Sequence, residues 1–241
     1  MLDMTTMKLE KITERARRYD DACGTAHGLE LLGERWALLI VRELMLGPRR
    51  FGDLRSDLRG LSANVLTQRL ETLEAAGVVR RRKLPPPASV QVYELTEWGY
   101  EAEPVIQTLG RWAARSPGHD PQLPISAVSI MLSFRTMFAP DRRPGFDAII
   151  GYQTGDERRF RIALSSDTLM VRRVETFEDA DAILIGPPQA LAAAAYGPGL
   201  QALEEQGMLR LQGSRDIATR FLALFELPPK ADIETRVPGL T

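Results

Sequence analysis

Apolar residues recur at helical spacing through the first half of the chain and alternate in strand-like fashion through much of the second. Leu29, Leu32 and Trp36 fall on one helical face, and residues 36–41 are apolar almost all round, which predicts two helices with the second deeply buried. Gly47-Pro48 stops the pattern. Phe51, Leu54 and Leu58 then form a one-sided stripe ended by Gly60, and Ser62 is the N-cap expected for a helix running to Gly77. On a wheel of this last helix Leu66, Leu70 and Leu73 share the buried side. Asn64, Gln68 and Ala75 point the opposite way, with Thr67 and Glu71 at the margin. A short helix, a tight turn and a second helix with short polar outward residues is a helix-turn-helix pattern.

The residues that follow extend it. Residues 78–84 and 90–95 read as paired strands, joined by a stiff tip at Pro85-Pro-Pro-Ala-Ser89. A basic hairpin directly after the second helix is a wing, on which Arg80, Arg82 and Lys83 are placed to neutralise phosphates. A further helix is expected from Thr96, restarted by Pro104, with Val105, Ile106, Leu109 and Trp112 on one face. Together with Leu9 and Ile12 near the N-terminus, that face is the expected two-fold interface.

Charge changes the picture only when it is counted locally. The 241 residues carry 31 Lys/Arg against 32 Asp/Glu, a net charge of −1 that by itself argues against a polyanionic partner. Residues 35–83, however, hold 11 basic against 5 acidic side chains, a local +6 that can attract phosphates. Residues 119–241 hold 13 against 16. Prolines 117, 121 and 124 mark residues 116–124 as a linker, so two domains are expected, 1–115 and 125–241.

Six stretches resemble, in order, the HxlR-type winged helix-turn-helix regulators. They are Cys23-Gly-Thr-Ala-His-Gly-Leu-Glu-Leu-Leu-Gly-Glu-Arg-Trp36, Leu39-Ile-Val-Arg-Glu-Leu44, Gly47-Pro-Arg-Arg-Phe51, Leu61-Ser-Ala-Asn-Val-Leu-Thr-Gln-Arg-Leu70, Leu73-Glu-Ala-Ala-Gly-Val-Val79 and Tyr93-Glu-Leu-Thr-Glu-Trp-Gly99. The resemblance spans roughly residues 19–115 and implies a homodimeric transcriptional regulator with one recognition helix per half-site. It would put Ser62, Asn64, Thr67, Gln68 and Arg69 at double-stranded DNA. Many members carry a basic residue near Asn64, so a base preference is not carried over. From their chemistry, Asn64 and Gln68 each offer the donor–acceptor pair suited to adenine, while Arg69, Arg49 and Arg50 suit phosphates.

Other chemistries find little support. His27 and His119 are the two histidines, one on an apparently packed helix and one in the linker, so neither reads as a catalytic base. One cysteine excludes an internal disulfide framework and, with no C-x-x-C, argues against structural zinc. No phosphate-loop or dinucleotide fingerprint occurs. The expectation is a non-enzyme without cofactor or metal, in the cytoplasm and away from membranes. The resemblance aligns Cys23 with a cysteine that some members use to sense oxidants or electrophiles. Asp20 and Asp21 would raise its pKa and Arg17 or Arg18 would lower it, and free cysteines are commonly buried and inert, so sensing stays outside the expected function.

Beyond the linker the expected order is helix, four strands, two short helices, strand, helix. The strands fall at 146–152, 159–164, 169–174, 180–185 and 208–212, and Ser214 caps the final helix. The fold class is therefore α+β: a mostly α winged helix-turn-helix with a β-hairpin wing, then a C-terminal α+β domain. Residues 180–186, Leu209-Arg-Leu-Gln-Gly-Ser214 and Phe221 resemble the sterol-carrier-protein-like fold. That resemblance implies a sheet with helices on one side and an apolar tunnel. Met131, Phe134, Phe138, Tyr152, Met170, Tyr196, Leu200 and Phe221 are the candidate walls for a small hydrophobic ligand. The expected function is ligand-modulated, sequence-specific DNA binding. The alternative is a hydrophobic-molecule carrier whose winged domain mediates protein contacts.

Overall fold

The computed structural model describes residues 19–138, 145–165 and 168–232. Leu9, Ile12, Arg17 and Arg18 lie outside the described residues. The chain divides into two compact units, residues 1–44 with 48–101 and residues 45–47 with 102–241.

The first unit runs α1 (Gly24–Leu32), α2 (Ala37–Leu44), α3 (Phe51–Asp57), α4 (Ala63–Ala75), β1 (Val79–Lys83), β2 (Gln91–Leu95) and α5 (Glu97–Tyr100). It is a helix-turn-helix followed by a hairpin wing. α2 buries Ile40, Val41 and Leu44 and packs on both α4 and β2. α4 forms where the polar–apolar pattern puts it, because Leu66, Leu70 and Leu73 are all buried on one stripe. Ser62 caps it, its Oγ accepting from the Val65 amide at 3.3 Å. At the other end Gly77 takes φ +75°, a conformation that a side chain disfavours, and releases the chain into β1. The strands pair antiparallel with Val79 opposite Leu95 and Lys83 opposite Gln91. Arg49 adds a single antiparallel bridge to Tyr93, with reciprocal amide–carbonyl bonds of 2.9 and 2.8 Å.

The second unit runs α6 (Glu103–Ala114), α7 (Ala127–Met137), β3 (Ala148–Gln153), β4 (Arg159–Leu164), β5 (Leu169–Val174), β6 (Ala182–Ile185), α8 (Pro188–Tyr196), α9 (Leu200–Glu205), β7 (Arg210–Gly213) and α10 (Arg215–Leu222). The sheet order is β5-β4-β3-β6-β7, parallel between β3 and β6 and antiparallel elsewhere. One face of the sheet is covered, as β4 shows: Phe160, Ile162 and Leu164 are buried, while Arg159, Arg161 and Ala163 alternate with them on the more exposed face. α7 and α10 pack on the sheet. Gly151 on β3 leaves room for a neighbour: a Cβ there would come within 2.9 Å of the Phe177 ring and force it to shift. The whole is a mixed α+β protein with a winged helix-turn-helix first.

One boundary differs from the sequence reading. α6, expected within a first domain of residues 1–115, makes its contacts with α7: Glu103 pairs with Arg135 at 2.9 Å, and Arg111 donates to the Thr136 carbonyl at 3.1 Å. The 116–124 stretch is also tied down. Lys230 Nζ donates to the carbonyls of Ala114, Ser116 and His119 at 3.2, 2.9 and 3.2 Å. No helix among the described residues is long and apolar enough to cross a membrane.

Candidate nucleic-acid interface

Ser62, the N-cap, and Asn64, Thr67 and Gln68 on α4 are exposed, with Asn64 and Gln68 opposite the leucine stripe and Thr67 at its margin. Two arginines expected at phosphates are engaged elsewhere. Arg69 Nη2 donates to Glu34 at 2.7 Å and its Nε to the Arg35 carbonyl at 3.2 Å, so it ties α4 to the α1–α2 loop. Arg49 is buried and ion-paired with Asp57, with Asp53 at 4.0 Å. Its backbone bridge to Tyr93 draws it inward, which the sequence pattern could not register. Arg50 remains exposed at the start of α3, its amide donating to Asp53 at 3.3 Å.

On the wing, Arg80 and Arg82 converge on a single carboxylate. Glu94 accepts from Arg80 Nε at 2.8 Å and from Arg82 Nε and Nη2 at 3.0 and 2.9 Å. Burial would raise the Glu94 pKa, but the hydrogen bonds and charges of Arg82 and Arg80 outweigh it and hold the carboxyl below its usual range. Arg81 pairs instead with Glu74 of α4 at 2.6 Å, and that hydrogen bond lowers the Glu74 pKa. Lys83 is exposed and has no ion pair among the described residues. Arg81, Arg82, Lys83, Ser89 and Gln91 line a groove of about 420 Å³.

Three further residues bear on this surface. Arg55 at the end of α3 and Arg59 in the turn are exposed cations, and the local charge excess was the signal for them. Glu94 had no such signal, because cross-strand register is what brings it to Arg80.

Residues 31–120 match the HxlR-like helix-turn-helix family. The HTH-type transcriptional regulator YvaP of Bacillus subtilis (strain 168) is 36% identical over 85 residues, which are 35% of this chain and 79% of that relative. The chain belongs to the HxlR-like helix-turn-helix family. YodB, an HTH-type transcriptional regulator of the same organism, is 39% identical over 83 residues, 34% of this chain and 74% of that relative. Its reduced form, a solved structure, aligns at a TM-score of 0.37 with 33% identity over 42% of this chain and 100% of that one. The HxlR-like region is thus a transcription-regulator DNA-binding domain, and the family match ends at residue 120, before α7.

Outside that surface, Cys23 precedes α1 and is exposed, in contrast to the buried state common for free cysteines. Its pKa is lowered chiefly by the Thr25 backbone amide, then by the Thr25 side chain and the Ala26 amide, rather than being raised by its aspartates. No group of His, Cys, Asp and Glu that could hold a metal occurs among the described residues.

In the second unit the candidate wall residues separate. Phe134 stacks on Phe225 at 4.2 Å and meets Phe221 edge-on at 5.6 Å, with Tyr196 at 6.3 Å. Tyr196 and Ser133 share a hydrogen bond of 2.8 Å, and burial raises the Tyr196 pKa. Met131 and Leu200 are buried, and Phe138 bridges Phe225 through its backbone. Tyr152 belongs to a different cluster, stacked on Phe160 at 6.0 Å with its hydroxyl donating to the Gly186 carbonyl. Met170 departs from the expectation. It is 69% exposed because the alternation of edge strand β5 turns it outward, away from buried Leu169. Phe225, which stacks directly on Phe134, is the aromatic that the candidate wall set lacked.

Proposed function

We propose that this HxlR-like protein is a homodimeric, sequence-specific DNA-binding transcriptional regulator of the cytoplasm. The reading rests above all on the polar face of α4: Asn64, Thr67 and Gln68 stand exposed on a helix whose other side is locked into the core. In a major groove Asn64 and Gln68 meet base edges, while Arg50, Lys83 and the Arg80–Arg82 pair meet phosphates. Gel-shift titration against the DNA upstream of its own gene, at several salt concentrations, tests this. Specific binding whose logarithm falls linearly with the logarithm of salt is expected. Absence of binding at low salt overturns it.

Dimerisation is supported by α6, where Val105, Leu109 and Trp112 are 55%, 44% and 71% exposed on one face and help line a groove of about 500 Å³. So much apolar surface on one helix face favours a partner.

The second unit is proposed as a sterol-carrier-like domain that binds a small hydrophobic ligand and biases DNA binding. The sheet with packed helices and the aromatic cluster around Phe134, with the Ser133–Tyr196 hydroxyl pair beside it, support that reading. Such a ligand acts only if it favours one conformation over another. Solvent extraction of the purified protein followed by mass spectrometry should recover a bound hydrophobic compound, and its addition should shift the gel-shift midpoint.

A further inference from the structure

We propose that Glu94 sets the strength of the wing's grip on nucleic acid: it holds Arg80 and Arg82 as a pair and cancels one of their two charges. This rests on the reading that the wing meets phosphates.

Glu94 is the one carboxylate between residues 78 and 95. Strand register puts it directly opposite Arg80, and Arg82 follows two residues along on the same face. Its side chain is only 8% exposed, whereas those of Arg80 and Arg82 are 64% and 45% exposed. The carboxylate therefore lies beneath two guanidinium groups that still turn N–H bonds toward solvent. Each guanidinium has five donors, and Glu94 occupies one of Arg80 and two of Arg82.

A phosphate that pulled either arginine away would leave a buried carboxylate with half its partners, which is unfavourable. The three side chains consequently meet an anion as a unit of charge +1, not +2. Lys83 carries the wing's remaining uncompensated charge. A regulator that must release its site is served by such moderation, because each phosphate neutralised adds steeply to affinity at low salt.

The test compares full-length wild type, Glu94→Gln and Glu94→Asp on a heparin column and on a mixed-sequence duplex. Glu94→Gln should elute from heparin at higher salt and bind the duplex with a log–log salt slope steeper by about 0.9, one phosphate equivalent. Glu94→Asp, which keeps the charge, should follow wild type. A slope for Glu94→Gln that is unchanged or shallower, or Glu94→Asp behaving like Glu94→Gln, overturns the proposal.

If Glu94→Gln does not fold, the triple variant Arg80→Ala/Arg82→Ala/Glu94→Ala decides: a slope reduced by about 0.9 supports a unit of one charge, and a reduction of about 1.8 refutes it. Wild type that is retained on heparin yet binds no duplex overturns the DNA reading instead. The order of elution from heparin still judges the charge relation.

Discussion

Arg69 Nη2 donates to Glu34 Oε2 at 2.7 Å, so a guanidinium that the helical wheel aims at a phosphate is held by the loop between α1 and α2. The same holds for much of the basic segment. Arg42 pairs with Glu43, Arg49 with Asp57, Arg81 with Glu74, and Arg80 and Arg82 with Glu94. Arg50, Arg55, Arg59 and Lys83 are exposed and have no ion pair among the described residues.

The Arg69–Glu34 pair is thus a brace for α4. Arg69→Ala and Glu34→Ala should each lower stability by up to about 1 kcal/mol, and the double variant should cost no more than Arg69→Ala alone, which also loses the bond to the Arg35 carbonyl. Urea melts measure this. The salt slope of DNA binding should be unchanged in Arg69→Ala, and a slope shallower by about 0.9 would show that Arg69 reaches a phosphate after all.

Arg49→Ala should be far more damaging. The Asp57 side chain is 5% exposed, so losing the Arg49 guanidinium takes an ion-pair partner from a buried carboxylate, at a cost of up to about 3–5 kcal/mol. Thermal melting should show a large loss of stability. Arg50→Ala, one residue away but exposed, should leave the melting temperature nearly unchanged and weaken DNA binding.

Base and phosphate readers should separate by their pattern of defects. Asn64→Ala or Gln68→Ala should reduce discrimination at one or two operator positions by about 1–3 kcal/mol each. Lys83→Ala should weaken binding evenly across sequences and flatten the salt slope by about 0.9. Binding to a randomised operator library, read by sequencing, distinguishes the two.

Glu94 also predicts an acid sensitivity. It is faced by Arg80 and Arg82 from β1 and lies near Tyr100 of α5. Its folded-state pKa lies below the usual value near 4.5, so the folded state favours the ionised form. That contribution to stability is complete above the unfolded-state value and is lost as pH falls through the lowered one. The first unit should therefore lose stability below about pH 4.5, and in Glu94→Gln that part of the loss should be missing. Urea midpoints recorded across that range check it.

Trp112 bears on assembly. Being 71% exposed, it contributes little to packing within the chain, so Trp112→Ala should leave the melting behaviour of a dilute sample nearly intact. If α6 is the two-fold interface, Leu109→Glu combined with Trp112→Ala should shift sedimentation from dimer to monomer and weaken operator binding. An unchanged sedimentation coefficient would remove α6 from the interface.

The sequence by itself determined the local order of the elements. The leucine stripe of α4, the Ser62 cap, the Gly77 exit, the hairpin and the strand–helix order of the second unit all rest on nearest-neighbour spacing, on turn chemistry and on which residues exclude water. The outward face of α4 was legible for the same reason. Tertiary structure decided which charges are already engaged. Arg49 is turned inward by its bridge to Tyr93, Arg69 is taken by a loop more than thirty residues away, and Glu94 reaches Arg80 through strand register. It also drew α6 to α7 through Glu103 and Arg135, and turned Met170 outward on an edge strand. Spacing along the chain reports which side of its own element a residue occupies. What faces that side depends on pairing between distant segments, and for an arginine a nearby carboxylate decides whether its charge is available to a partner.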